Sequence, residues 1–407
     1  MVAGLAVTIA GVMATAGTYA LAHTTSGSQR AAAQRAARQS ATQEEGGGGT
    51  AGRAAPLQVV AVSPATGSRH ADGSQVTVTF SEPLAPGSPM PSLIPAVRGS
   101  WRAVGAVATF TPRVIFDPAR PVTLRVPAGA TGVRSARGGL LAHRIVTRFT
   151  VRAPSNLRLA QLLAQLKYLP LSWSPAASAR GRPEAAPGSA WATAARAPVP
   201  GTPGAVSAAA QIADAYSPPP GTFRWHHGYP ASLHADWRAG HPAGLILAGA
   251  VMAFQSQHGL TMNGVAGPAV WDAVIKAARA GHANAGGYTY ALASKAPPET
   301  LTIWHNGHVV MHTAANTGIP VAPTTDGTFP VYLRYRFQIM RGLNPDGSAY
   351  ADPVSYVAYF HGGEAVHYFP RGSYGFEQSL GCVELPLSAA AQAWPYLTYG
   401  SLVTVSG

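Results

Sequence analysis

Short, regularly spaced runs of β-forming residues dominate the chain from Leu57 to about residue 152 and limit what this part can fold into. The runs are LQVVAVSP, SQVTVTFSEPL, GAVATFTP, RPVTLRVPAG and HRIVTRFTVRA. Glycine, proline and aspartate turns separate them at intervals of about ten residues. Alternation with a period of two places every second side chain on one face of a strand, and short strands of this kind pack as two sheets. The sequence therefore predicts a β-sandwich over residues 57–152.

The next part of the chain changes to helical spacing. Four leucines repeat at i, i+3, i+4 and i+7 behind Ser155, a candidate N-cap; they are Leu159, Leu162, Leu163 and Leu166. Further on, Leu247, Val251 and Phe254 share an apolar face, and Gly267-Pro268 marks the start of another helix. We predict a small α-helical domain over 155–282. Its stretch from about 174 to 220 is rich in alanine and proline, and we expect a loop or disordered insertion there.

Residues 297–407 return to a β pattern. Asn306-Gly307 lies between two alternating runs and predicts a tight hairpin. The alanine-rich string LSAAAQAWPYL predicts one helix directly after Cys382. The whole chain is therefore predicted to be multidomain, with an N-terminal β-sandwich, a small helical domain and a C-terminal, mostly-β domain.

The first 22 residues carry no charged side chain and end in Ala20-Leu21-Ala22. This pattern predicts a secretory signal peptide, or a membrane anchor if the segment is not cleaved. Residues 23–56 are rich in alanine, glutamine, glycine and threonine, so we expect a flexible linker. We therefore expect the protein to be exported to the cell envelope or the extracellular face.

Positive charge is in excess, with 29 Lys+Arg against 16 Asp+Glu and a formal net charge of +13. A basic surface suits an acidic partner such as an anionic cell-wall polymer. No basic helix with interleaved aromatics and no zinc-finger spacing supports a nucleic-acid partner. His305, His308 and His312 lie on a strand-like segment without acidic or thiol residues at ligand spacing. Surface histidines are therefore favoured over a metal site, and no cofactor is predicted.

Cys382 is the only cysteine among 407 residues, so no internal disulfide can form. A single thiol is either a small buried hydrophobe or a nucleophile. A nucleophile needs a neighbouring base, and acyl transfer also needs donors for the developing oxyanion. His367 and His361 are the candidate bases, and the backbone amides of Leu380, Gly381 and Cys382 are the candidate donors.

Three stretches resemble known families. The strings VVAVSPATGS, VTVTFSEPL and ATFTP resemble bacterial Ig-like modules, which implies a spacer over 57–152. The string AVMAFQSQHGLTMNGVAGPAVWDAV resembles the peptidoglycan-binding helical domain, with Asn263 in place of the usual aspartate; a helical bundle that binds nothing is the alternative. TTDGTFPV, followed by FHGGEAVHYFPRGSYGFEQSLGCVEL, resembles the L,D-transpeptidase (YkuD-like) catalytic domain over 297–407.

The last resemblance implies a role for individual residues. Fourteen residues separate His367 from Cys382, which fits the spacing of the family and favours His367 over His361. Cys382 would be the nucleophile and His367 the proton donor and acceptor. A main-chain carbonyl near Tyr368 would orient the imidazole, and Leu380 and Gly381 would supply oxyanion amides.

Other positions imply contacts with the substrate or depart from the family pattern. We expect Ser379, Tyr359 and Tyr368 to bind substrate. Leu380 stands where the family has a histidine, which deletes a side chain but keeps the amide. Glu384 stands where the family often has an arginine, which inverts a charge.

The implied activity is peptidoglycan L,D-transpeptidation, in which a cysteine acyl-enzyme releases D-Ala and forms a 3→3 cross-link. The implied partners are peptidoglycan stem peptides and glycan strands, and carbapenem-type inhibitors should acylate the enzyme. With water as acceptor the activity would be that of an L,D-carboxypeptidase. A non-catalytic cell-wall-binding protein with a decayed transpeptidase domain is the other alternative. A serine transpeptidase is excluded, because none of Lys167, Lys276 and Lys295 lies in an S-x-x-K or K-T-G motif.

Overall fold

The computed structural model describes residues 54–176, 208–237 and 244–407. The predicted signal peptide or anchor over 1–22 lies outside the described residues, as do most of the linker over 23–56 and the part 177–207 of the predicted insertion. In the described ranges, no helix combines the length and the apolar character that a membrane crossing requires.

The first region is a sandwich of two antiparallel sheets, as the alternating runs predict. Its strands are β1 (Val59–Ser63), β2 (Val76–Phe80), β3 (Ser92–Ile94), β4 (Gly99–Val104), β5 (Val107–Pro112), β6 (Val122–Val126) and β7 (Ile145–Phe149). One sheet has the order β1-β2-β5-β4 and the other β3-β6-β7. Inward side chains such as Val78, Phe110 and Leu124 are buried in one shared core. Two of these strands, β3 and β4, were not predicted from the runs.

A helical region follows, with a two-stranded ribbon inserted into it. Its elements are α1 (Asn156–Gln165), β8 (Leu171–Pro175), α2 (Ala208–Tyr216), β9 (Gly221–Trp225), α3 (Ala231–Ala235), α4 (Leu245–Gln257) and α5 (Pro268–Ala280). The predicted leucine face of α1 is buried, which confirms its amphipathic assignment. Ser155 occupies the N-cap position, but its side chain makes no capping hydrogen bond.

Part of the predicted insertion over 174–220 is regular structure. Its C-terminal end forms α2, whose Ile212 and Tyr216 are buried in the core shared with α1. Arg158 on α1 donates to Gln211 on α2 at 2.9 Å and contacts Asp214 at 3.2 Å. The sequence did not reveal this helix. Alanine favours helix formation, but an alanine-rich stretch has only a few larger side chains to mark its buried face.

The C-terminal region consists of two sheets and one helix. Its elements are β10 (Thr289–Ser294), β11 (Thr300–His305), β12 (His308–Ala314), β13 (Gly327–Pro330), β14 (Leu333–Leu343), β15 (Ala349–His361), β16 (Glu364–Tyr368), β17 (Val383–Leu385), α6 (Leu387–Ala393) and β18 (Leu402–Ser406). The sheet orders are β12-β11-β10-β18-β13 and β14-β15-β16-β17. Because β10 is the central strand of the first sheet, this sheet begins before the predicted boundary at 297. The predicted hairpin at Asn306-Gly307 joins β11 to β12, and both residues have positive φ.

The helical region and the C-terminal region share packing. Tyr290 of β10 and Leu402 of β18 belong to the same buried cluster as the helices. Asn284, after α5, accepts from Gln257 at 3.0 Å and donates to the Gly287 carbonyl at 2.9 Å. The helices therefore stabilise the sheet that carries the C-terminal core, and deleting them would expose apolar surface on that sheet.

The close approach of α4 to the turn before β18 gives a stability prediction. A Cβ atom on Gly249 would lie 2.5 Å from the Gly400 carbonyl oxygen. We expect Gly249→Val to push α4 away and to lower the free energy of unfolding by about 1–3 kcal/mol, measured by urea titration. Lys276→Val is the matched control, because it places the same side chain at an exposed position of α5. Equal losses in both variants would show that this contact does not matter.

Candidate active site

Strand pairing brings His367 and Cys382 to one place. His367 lies on β16, and Cys382 directly precedes β17, which pairs with β16 in parallel. The register places His367 beside Glu384, and Val366 beside Val383. Side chains two residues apart on an extended chain share a face, so Cys382 and Glu384 project to the same side.

A cavity of about 400 Å³ opens on this side of the sheet. Both Cys382 and His367 line it, together with Glu384 and Leu380. The long hairpin β14–β15 forms much of the remaining wall. Its lining residues there are Gln338, Met340, Arg341, Asn344, Tyr350, Asp352, Val354 and Tyr359. The site is thus a concave pocket with one thiol and one imidazole in its wall.

The His367 ring is held in one tautomer by its own chain. Its Nδ1 lies 3.0 Å from the Tyr368 carbonyl oxygen. Because a carbonyl can only accept, Nδ1 carries the proton and Nε2 is left as a free base. His367 is 3% exposed, and this burial lowers its pKa below the ordinary value, although the Tyr368 carbonyl acts in the opposite direction. The imidazole is therefore neutral near pH 7 and able to accept a proton.

The Cys382 thiol is also neutral in the resting site. Burial raises its pKa to about 12, and the nearby carboxylates Glu384 and Glu364 act in the same direction. Its Sγ lies 3.9 Å from the Gly363 carbonyl oxygen. A thiol with so high a pKa reacts only if its proton is removed as it attacks, so this site requires a base.

The turn Ser379–Cys382 is fixed by hydrogen bonds. The Ser379 hydroxyl donates to the Cys382 carbonyl at 2.6 Å and accepts from the Gly381 amide at 3.2 Å. Gly381 has φ +108°, a conformation in which a side chain would be strained. Thr317 clamps the turn from outside, since its carbonyl accepts from the Ser379 amide at 2.9 Å.

This network concerns two of the residues that the sequence analysis singled out. Ser379 is completely buried, and its hydroxyl bonds only within the turn, so this side chain orders the turn. Its contact with substrate stays a prediction. The Gly381 amide is engaged by the Ser379 hydroxyl, so it is not free to bind an oxyanion in this structure. The Leu380 amide has no hydrogen-bond partner in the part of the chain that the structure describes, and it remains available.

The two predicted tyrosines differ in position. Tyr359 lines the cavity, where a substrate contact is possible. The Tyr368 side chain packs against the hydrophobic core instead, and only its carbonyl serves the site. The rival base His361 does not line the cavity; its ring lies 4.4 Å from that of Phe329, and its Nδ1 is 3.6 Å from Glu364.

Several lining residues were not predicted. Tyr350, Asp352 and Gln338 come from the β14–β15 hairpin, whose approach to Cys382 depends on tertiary folding. Arg371 comes from the loop between β16 and β17 and forms an ion pair with Glu384. The sequence contained one signal for this pair, since Glu384 stands where the family often has an arginine. A carboxylate in the wall of a cavity needs a nearby cation to compensate its charge.

The histidines that suggested a metal site lie apart from this cavity. His305 ends β11, and its Nδ1 lies 3.0 Å from the Thr289 hydroxyl. His312 on β12 is similarly bonded to Thr302 at 2.8 Å. Across the described ranges, no group of three or more His, Cys, Asp or Glu side chains is arranged to hold a metal ion.

Comparison with family models gives three matches in chain order. Residues 53–151 match the bacterial Ig-like domain, and residues 239–274 match a peptidoglycan binding domain. Residues 288–405 match the L,D-transpeptidase catalytic domain. No curated protein sequence matches the chain.

Several solved structures are also similar. An L,D-transpeptidase from Mycobacterium smegmatis is 15% identical, with 87% of this chain and 100% of that chain covered and a TM-score of 0.28. L,D-transpeptidase 3 from Mycobacterium tuberculosis, in complex with a faropenem-derived adduct, is 14% identical, with coverages of 86% and 98% and a TM-score of 0.27. The catalytic domain of an E. faecium L,D-transpeptidase is 26% identical, with coverages of 29% and 96% and a TM-score of 0.27.

The order of elements in the structure agrees with the order of the three family matches. The sandwich β1–β7 falls within the first match and α4 within the second, and the sheets β10–β18 fall within the third except for the last residue of β18. The protein therefore carries an L,D-transpeptidase catalytic domain at its C-terminus, preceded by a peptidoglycan-binding-like helical region and a bacterial Ig-like domain.

Proposed function

We propose that the protein is a peptidoglycan L,D-transpeptidase that uses Cys382 as nucleophile and His367 as general base and acid. The observation that carries this proposal is the shared cavity. Its wall holds the only thiol of the chain and a buried imidazole whose Nδ1 is committed to the Tyr368 carbonyl. A neutral thiol needs such a base, and the imidazole presents its free Nε2.

The reaction follows from these two neutral groups. As Sγ of Cys382 attacks the carbonyl carbon of the third stem residue, Nε2 of His367 takes the thiol proton. The oxyanion forms beside the free Leu380 amide, which donates to it. The C–N bond to the terminal D-Ala then breaks, and His367 returns the proton to the departing amine. A side-chain amine of a second stem attacks the thioester, so that a 3→3 cross-link forms and the thiol is regenerated.

The other regions suit a role in the cell wall. We propose that the helical region holds peptidoglycan while the Ig-like sandwich acts as a spacer, and that the protein works in the cell envelope after export. The net charge of +13 would add attraction to anionic wall polymers. Such attraction weakens as salt increases, whereas recognition of a defined peptide or glycan depends less on screening.

The experiment that tests this function is an incubation of the full-length protein with a stem tetrapeptide, followed by mass spectrometry of the products. A cross-linked dimer that has lost D-Ala is the expected result. A tripeptide without dimer would replace the proposal by an L,D-carboxypeptidase. Intact tetrapeptide in the presence of folded protein would make the chain a wall-binding protein.

Leu380 gives a prediction on the pH dependence of acylation. Leu380 is apolar and lines the cavity that holds the thiol, and burial raises the pKa of this thiol to about 12. An imidazole at 380 becomes cationic at lower pH and would favour the thiolate. We expect Leu380→His to raise the carbapenem acylation rate and to move its optimum to lower pH, measured by stopped-flow absorbance.

Leu380→Gln is the matched control for this experiment. It is polar and of similar length but carries no charge, and its backbone amide is retained. A similar shift in Leu380→Gln would assign the effect to polarity instead of charge. If the natural leucine form shows no acylation at any pH while Leu380→His gains it, the natural protein is better described as a binder.

A further inference from the structure

Glu384 is a buried carboxylate beside the reactive groups. Its residue is 4% exposed, and its position on β17 pairs with His367 on β16. Its backbone is fixed on the other side by Asn316, through hydrogen bonds of 2.9 and 3.0 Å. A buried charge of this kind is costly unless a cation and hydrogen bonds compensate it.

Arg371 supplies that compensation with a two-point contact. Its Nε lies 2.7 Å from one carboxylate oxygen of Glu384, and its Nη2 lies 2.8 Å from the other. The same Nη2 donates to the Gln378 carbonyl at 2.9 Å, directly before the turn Ser379–Cys382. Its guanidinium carbon also lies 4.7 Å from the centre of the Phe369 ring. One side chain thus joins β17 to both ends of the loop that leads to the nucleophile.

The charges around His367 come from three elements. Glu384 and Cys382 project from β17 and its preceding turn, Asp352 from β15, and Arg371 from the loop. Asp352 and Glu384 favour a protonated imidazole, whereas Arg371 disfavours it. Removing either member of the ion pair would therefore disturb the imidazole in a direction that depends on which member is removed.

We propose that Arg371 and Glu384 are positioning residues that act as one unit, holding the Ser379–Cys382 turn and balancing charge beside His367. The pair also gives a structural reason for glutamate at 384: the cation of the site comes from the loop and not from β17. This inference rests on the proposed function for its effect on rate, but the ion pair and its effect on the imidazole can be tested without turnover.

The test compares Arg371→Met, Glu384→Gln and the exchanged pair Arg371→Glu/Glu384→Arg in the full-length protein. The rate of carbapenem acylation should fall at low pH as His367 becomes protonated, and this part of the pH profile is the acid limb. In Arg371→Met the carboxylate is uncompensated, so the pKa of His367 should rise and the acid limb should move to higher pH. In Glu384→Gln the guanidinium is uncompensated, so the limb should move to lower pH. We expect Arg371→Met to lose about tenfold or more in rate on the acid limb, the usual scale for an unbalanced neighbouring charge.

Two further readouts separate positioning from simple instability. In an NMR titration, the pH midpoint of the His367 resonance should move in opposite directions in Arg371→Met and Glu384→Gln, relative to the wild-type protein. This holds even if the wild-type protein is not acylated at all. Arg371→Lys should keep the acid limb in place but acylate more slowly, because lysine keeps the charge and loses the two-point contact. If Arg371→Met does not fold, Arg371→Lys and Glu384→Gln carry the comparison.

Arg341→Met is the matched control, since Arg341 lines the same cavity without contacting Glu384. It should leave the acid limb unchanged. The exchanged pair should be acylated about tenfold faster than the Arg371→Met variant, because the effects of coupled charges are not additive. Displacements in the same direction for both single variants, or a double variant whose loss is the sum of the single losses, would overturn the proposal.

Discussion

Cys382→Ala should abolish covalent adduct formation with a carbapenem while the protein stays folded. The chain contains no other thiol, so no second residue can replace this nucleophile. The substitution removes one sulfur atom from a half-buried position before β17. We therefore expect it to lower the free energy of unfolding by less than about 2 kcal/mol, a modest value for a single truncation.

Intact-protein mass spectrometry measures this result directly. The wild-type protein should gain the mass of one inhibitor molecule, and the variant should gain none after the same incubation. Urea unfolding of both proteins is the control for folding. A stoichiometric adduct on the alanine variant, or continued cross-linking by it, would end the assignment of Cys382 as nucleophile.

His367→Ala should slow acylation by about 10² to 10⁴, the usual contribution of a positioned general base. The effect is large here because burial raises the pKa of the Cys382 thiol to about 12, so almost no thiolate exists before proton transfer. Since burial lowers the pKa of His367, the wild-type rate should stay constant with falling pH until the pH is below the ordinary histidine value of about 6.5. In the variant this acid limb should disappear.

His361→Ala is the control for that experiment. His361 lies outside the cavity beside Phe329 and Glu364, so its loss should change the acylation rate by less than about threefold. His367→Gln adds a second comparison, because glutamine fills part of the buried space but cannot act as a base at neutral pH. Loss of acylation in the His361 variant together with full activity in the His367 variants would exchange the two assignments.

Local patterns were sufficient to predict the classes of structure along the chain. Period-two alternation predicted five strands of the sandwich, since half-buried strands must alternate. Helical spacing predicted the buried leucine face of α1, and Asn-Gly predicted the β11–β12 hairpin. These signals are local, because they depend on the residue's own backbone preference and on which face it buries.

Predictions failed where a signal was weak or where the outcome depended on distant residues. Helix α2 lies in an alanine-rich stretch whose spacing shows little contrast, and only packing against α1 identifies its buried face. Strand β10 precedes the predicted boundary at 297 but belongs to the C-terminal region, because it pairs with β18 from the other end of that region. Such a pairing has no local signal in the sequence. The part that Ser379 plays in ordering the turn could not be predicted, because the hydrogen bonds of its hydroxyl depend on the folded turn.

The sequence by itself determined the reactive residue types and their order: one thiol, a histidine at a suitable spacing and a glycine before the thiol. Their chemical state was decided only by the tertiary structure. Burial makes the imidazole and the thiol neutral, since removing water disfavours charged forms. The ion pair of Arg371 with Glu384 likewise exists only because β17 returns in parallel beside β16 and faces the loop between them.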